Sequence, residues 1–127
     1  VTVAITWPPT LTELKRDMRV DADVTRFDVS LQQTLDAAVA YVERVRSDVD
    51  YAAFAEETPT ERDTTKAAVT DDLVLGTLRY ARRLDIRRDS PSGMVVTDQI
   101  GATPVAGWDA DIEKLLRVGR YARMRFA

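Results

Sequence analysis

The chain contains neither cysteine nor histidine. Without cysteine there is no disulfide framework. Thiolate and imidazole ligands are missing together, which excludes the zinc sites built on them. Ser-His-Asp and Cys-His nucleophile systems go with them. Any catalysis would have to run on carboxylates, Tyr, Lys or Ser. No apolar run approaches the roughly 20 residues that cross a bilayer. The opening Val1-Thr2-Val3-Ala4-Ile5-Thr6 is too short for the apolar core of a signal peptide and has no basic lead, so a cytosolic origin is expected. Internal repeats and low-complexity tracts are also missing.

What is present points to one globular domain. The 127 residues are 45% hydrophobic and 31% charged, a balance typical of soluble folded chains. A globule of this length has a radius of gyration of about 14 Å. The net charge of −3 conceals an asymmetry. Acids dominate up to Asp63, whereas bases dominate afterwards, through Arg79–Arg88 and then Lys114–Arg125. Unlike surfaces on one chain favour head-to-tail contact, which can close into a ring; solvated helix faces of both signs are the plainer account.

Hydrophobic spacing places the elements. Residues 1–9 read as an extended N-terminal arm, with Trp7 and then Pro8-Pro9, which a helix interior does not accept. Trp7 reads as a cap on the core rather than a partner anchor. Thr10-x-x-Glu13 is a capping box, predicting a helix over Leu11–Arg19. Phe27, Leu31, Leu35, Ala38 and Val42 keep a three-to-four spacing, predicting a second helix over 28–48 with Asp28 as its N-cap. Residues 49–64 read as a loop, with a helical turn around Ala52–Glu56. A third helix is expected over 65–87. Its Gly76 costs up to about 1 kcal/mol relative to Ala and points to close approach of another helix. Pro91 and Gly93 force a turn. Met94–Thr97 and Thr103–Ala106 read as paired edge strands of a hairpin over 94–106. Asp109 caps a last helix through Val118, and Gly119 is a natural left-handed stop. The expected fold is mainly α: a helical body over 10–119 with four helices, the two long ones antiparallel, a small β hairpin before the last helix, and an extended C-terminal tail over 120–127.

Candidate functional residues follow from charge and exposure. Arg79, Arg82, Arg83 and Arg87 recur at helical spacing, with Arg88 beside them. They fit contact with a neighbouring subunit first, then a solvated face, or nucleic acid; the interleaved Asp85 and Asp89, the acidic net charge and the lack of a preceding helix-turn-helix spacing count against the last. A lone hairpin is marginal in water, so Val95, Val96 and Val105 are expected against the helices or another subunit. After Arg117, the tail Arg120, Tyr121, Arg123, Met124, Arg125 and Phe126 reads as a docking arm, Arg and aromatic residues being good interface anchors; a frayed terminus is the alternative. The Asp21/Asp23 and Asp71/Asp72 pairs could hold a cation or act as acid and base. No EF-hand pattern or further ligands accompany them, so no cofactor, metal or enzymatic activity is expected.

From Arg83 onward the chain resembles the head–tail connector, or adaptor, proteins of tailed bacteriophages, especially those of actinobacterial phages. The resembling segments are Arg82-Arg83, Asp89-Ser90-Pro91-Ser92-Gly93, the glycine-containing β segment, and Asp109-Ala110-Asp111-Ile112 leading to Leu115-Leu116-Arg117-Val118-Gly119-Arg120-Tyr121. Trp7-Pro8 before Leu11-x-x-Leu14-Lys15, and Asp28 leading to Leu31 and Leu35, agree more loosely. The resemblance implies a helical virion protein at the portal vertex. It would form a ring, commonly a dodecamer, between the portal and stopper or tail proteins, around the channel through which genomic DNA passes. A small DNA-binding or packaging accessory module using the arginine helix is the alternative function.

Overall fold

The computed structural model describes residues 5–88, 94–97, 101–104 and 110–118; for Arg88 and the eight strand residues it describes the backbone alone. The described residues are mainly helical, with four helices: α1 (Leu11–Asp17), α2 (Asp28–Val45), α3 (Asp71–Arg88) and α4 (Ala110–Leu116).

Helix α1 starts where the capping box places it. Thr10 is extended, and its Oγ1 accepts from the Glu13 N–H at 3.2 Å. The Glu13 carboxylate accepts from the Thr10 hydroxyl at 3.3 Å. The helix ends at Asp17, short of the expected Arg19. Arg19 itself takes a left-handed φ of 59°. The Val20 N–H then reaches back to the Lys15 carbonyl at 2.8 Å, and the Arg19 N–H to that of Arg16 at 3.2 Å, the bond pair of a Schellman ending.

Lys15 lies on the apolar side of α1 and is only 6% exposed. A buried ammonium needs partners for all three protons. Its Nζ donates to the carbonyls of Ala22 (3.3 Å) and Val24 (2.7 Å) and to Asp28 Oδ1 (2.9 Å). This fixes the turn between α1 and α2 and corrects the role of Asp28. The N-cap is Phe27, with no side-chain cap bond, and the Asp28 carboxylate serves Lys15 instead.

Leu31, Leu35, Ala38 and Val42 form the buried stripe of α2. The helix stops at Val45, three residues before the expected 48, because Arg46 leaves helical geometry and the Tyr51 hydroxyl donates to its carbonyl at 2.9 Å. The connection to α3 is ordered by two isolated parallel bridges, Trp7 with Ala55 and Val49 with Ala67, and by one 3-10 turn at Ala52–Phe54. Here the expectation of a helix from 65 fails. Ala67 is held extended: its N–H donates to the Asp48 carbonyl and its carbonyl accepts from the Asp50 N–H, both at 2.9 Å. Helix α3 begins only at Asp71, with the Thr70 hydroxyl accepting from the Leu73 N–H at 3.4 Å.

Two apolar clusters hold the helices together. One joins Leu14 of α1, Leu31, Leu35 and Ala38 of α2, and Leu78 and Ala81 of α3. The other joins Trp7, Val42, Val49, Val69, Leu73, Ile112 and Leu116. The first half of α2 thus meets the second half of α3, and the reverse, so these helices run antiparallel. Trp7 is buried (3% exposed), with its Nε1 donating to Glu43 Oε1 at 2.9 Å. Helix α4 closes the second cluster. It ends at Leu116, not Val118, with Arg117 left-handed (φ 56°) and the Val118 N–H bonded to the Glu113 carbonyl at 3.1 Å; Gly119 lies outside the described residues.

No sheet enters this helical body. Two four-residue strands, β1 (Met94–Thr97) and β2 (Gly101–Pro104), are paired antiparallel along their backbones, Met94 opposite Pro104 and Thr97 opposite Gly101. The second strand thus starts at Gly101, two residues before the expected Thr103, because Gly101 pairs with Thr97; the rest of the expected 94–106 hairpin, Val105 included, lies outside the described residues.

Candidate inter-subunit surface

The basic second half of α3 owes its exposure to the helical period: Leu78 and Ala81 face the core, and Arg79 and Arg82 fall beside that stripe, exposed. Alongside them runs α4, antiparallel to α3, its start near the end of α3. Gly76 allows the approach. A Cβ there would lie 2.8 Å from Leu116 Cδ2 and 3.0 Å from Leu115 Cβ, so the expected close helix contact is real.

The two helices enclose an open groove of about 290 Å³, lined by Arg79, Arg82, Arg83 and Ile86 of α3 and by Asp111, Ile112 and Leu115 of α4. Three of the four arginines expected at a subunit contact therefore share one wall; Arg87 lies half-buried beyond them. Ile112 is buried and gives the floor an apolar part. Arg79 does not act alone: its Nε donates to Asp17 Oδ1 of α1 at 3.2 Å. The Asp17 side chain is 12% exposed, and its second oxygen is buried with no hydrogen-bond partner. This pair uses some of the opposite charge of the two halves inside the molecule. Such a groove can recognise an anionic, partly apolar segment.

Arg117, expected with the tail, sits apart from the groove, near the start of α3. Its Nε lies 3.5 Å from Asp72 Oδ2. Burial works against the Asp72 charge, yet the Thr70 hydroxyl and the Arg117 guanidinium outweigh it and hold the carboxyl below its ordinary range. Arg120, Tyr121, Arg123, Met124, Arg125, Phe126 and Val105 lie outside the described residues, and Val95 and Val96 are described by backbone alone.

Sequence reading missed the polar links that place α4. Arg46 donates from Nε and Nη2 to both oxygens of Asp48, at 2.9 and 3.0 Å, and from Nη1 to the Leu116 carbonyl at 2.8 Å. A cation thus meets the negative end of α4. The Asp48 bond holds Arg46 more firmly charged, against the effect of its burial. The available signal was an Arg-x-Asp directly after the apolar stripe of α2 runs out. Asp50 was missed too. It is buried, accepts the Asp63 N–H at 2.8 Å, and faces Arg62 at 3.6 Å, so it ties the acidic loop at its base.

Among the described residues no group of three or more carboxylates is placed to hold a metal ion. No helix among them is long and apolar enough to cross a membrane. No protein-family model, curated protein or solved structure matches the chain.

Proposed function

We propose that this chain is a structural virion subunit, a head–tail adaptor that forms a ring between the portal and the stopper or tail proteins of a tailed bacteriophage. The observation that carries this reading is where the resembling segments meet. Arg82-Arg83 and the helix entered through Asp111-Ile112 line the two walls of one groove, while Leu115-Leu116 press against Gly76 beneath it. A ring subunit needs two unlike side surfaces, and a basic groove on a net acidic chain supplies one of them. An acidic subunit also suits a conduit that must let DNA pass, since each phosphate contact adds salt-sensitive affinity.

In this reading the hairpin over 94–106 leaves the end of α3 and lies on the adjacent subunit, and the tail over 120–127 enters the portal. Deleting residues 120–127 is expected to leave helix content unchanged and abolish portal binding, read by co-sedimentation with purified portal and by imaging of the particles. Unchanged binding would remove the docking arm. A full-length chain that neither self-associates nor binds portal would end the connector reading.

The accessory DNA-binding reading draws support from the exposure of Arg82. Against it stand Asp111 in the same groove and Asp17 on Arg79. A steep fall of duplex binding with salt by the free chain would favour it.

A further inference from the structure

We infer that the arginine groove receives the acidic 56–61 segment of a second copy of this chain. The inference deepens the connector reading and rests on it for its setting. Residues 56–61 form a tethered projection. The Thr60 N–H donates to the Ala52 carbonyl at 3.1 Å, Ala55 bridges Trp7, and the Asp63 N–H is held by Asp50. Between these ties Glu56, Glu57, Pro59 and Glu61 are exposed. None of the three glutamates makes an ion pair among the described residues. Three carboxylates around a proline face the exposed Arg82, with Arg79 (already bonded to Asp17 through Nε) and Arg83 (which also has a partner) on the same wall, over an apolar floor of Ile86, Ile112 and Leu115. Asp111 on the α4 wall repels carboxylates and confines the segment to the α3 side, a repulsive element that sets register.

Two other occupants fit worse. The groove is out of reach of its own copy's loop. That loop is anchored beside Trp7 and Asp50, where α2 ends and α3 begins, while Arg82 lies about 16 Å further along α3 at 1.5 Å per residue. The chain's own tail carries Arg120, Arg123 and Arg125 and no acid, so like charge opposes it. One copy then offers a projection at one end and a groove at the other. Contacts of this kind are heterologous and propagate until they close.

Glu57 and Arg82 are exposed, so E57R and R82E should keep native helix content by circular dichroism. Self-association is read by sedimentation of the full chain at low ionic strength, alone and with portal. Each single reversal is expected to weaken association by at least about tenfold. The double variant restores it, because a reversed loop meets a reversed groove. An equal mixture of the two single variants also restores it, by alternation. Single variants that associate like the parent, or a double variant weaker than either single, would overturn the inference. If those variants still form rings on the portal, the interface fails and the connector reading stands. If the parent chain associates neither with itself nor with portal, both fail. Loss of duplex DNA binding by R82E with association unchanged would reassign the groove to phosphate.

Discussion

The cluster around Leu14, Leu31, Leu35 and Leu78 draws on three helices whose apolar residues recur at three-to-four spacing. The cluster around Trp7, Val49, Val69 and Leu116 takes one or two residues each from the arm, α2, both ends of the long loop, α3 and α4. The first is assembled by helix faces. The second has no face of its own, and its segments are brought together by polar links: Trp7 to Glu43, Arg46 to Asp48 and the Leu116 carbonyl, and Asp72 to Arg117. Packing holds α1, α2 and α3, whereas α4, which buries Ile112 and Leu116 in the second cluster, is also latched by these polar links. The groove lies across that division, with one wall on the packed part and the other on the latch.

The sharpest break of the comparison is Leu35→Ala. Leu35 is 1% exposed, and emptying such a site costs about 2–5 kcal/mol. Urea unfolding should shift to a lower midpoint with α2 and α4 losing amide protection together. Retention of protected α2 amides would show that the helix-face cluster is not the foundation.

Arg46→Met tests the latch from the other side. It keeps side-chain bulk but removes both bonds to the Asp48 carboxylate and the donor to the Leu116 carbonyl, a loss of about 1–3 kcal/mol. Amides of α4 should exchange faster while those of α1 and α2 keep their protection. Equal loss across all four helices would erase the distinction between the two regions.

Gly76→Ala should act in the same place with a smaller effect. Alanine favours the helix by up to about 1 kcal/mol. The new methyl group, however, meets Leu116, which is fully buried, and overpacking costs about 1–3 kcal/mol. The net expectation is a destabilisation of about 1 kcal/mol, seen as a lower thermal midpoint and local opening of α4. A higher midpoint would mean α4 has room to move off.

What was legible in the sequence divides along the same line. The Thr10 cap, the α2 stripe, the burial of Trp7 and the close approach at Gly76 all follow from local spacing or residue type. The α3 wall of the groove was readable because Arg79, Arg82 and Arg83 recur with the helix period. Its other wall was not, since nothing local says that Asp111, Ile112 and Leu115 come to lie opposite. Asp28 was misread because a carboxylate at a helix start looks the same whether it caps the helix or binds a lysine thirteen residues earlier. Residues 65–70 were misread because Ala67 answers to Asp48 and Asp50 across the chain, and tertiary pairing overrides local propensity. The end of α4 was expected at Val118, with Gly119 as its left-handed stop, because that position usually takes glycine, whereas the helix ends at Leu116 and Arg117 fills the left-handed position.

The smallest expected effect concerns that same Arg117. Asp72 has its pKa held below the ordinary carboxylate value of 3.8 despite its burial, through Thr70 and Arg117. A carboxyl depressed on folding adds stability that is complete above the ordinary value and is lost as pH falls through the folded one. Acid should therefore loosen the α3–α4 joint below the usual carboxylate range. Arg117 and Asp72 are 45% and 35% exposed, so solvent and salt screen the pair and its share stays under about 1 kcal/mol. Comparing Arg117→Gln with the parent chain isolates that share, since the Thr70 bond survives the change. The variant should lose less α4 protection than the parent on acidification, and added salt should bring the two together. Identical acid profiles at low salt would assign the Asp72 shift to Thr70 alone and leave the Arg46 link as the polar tie that holds α4.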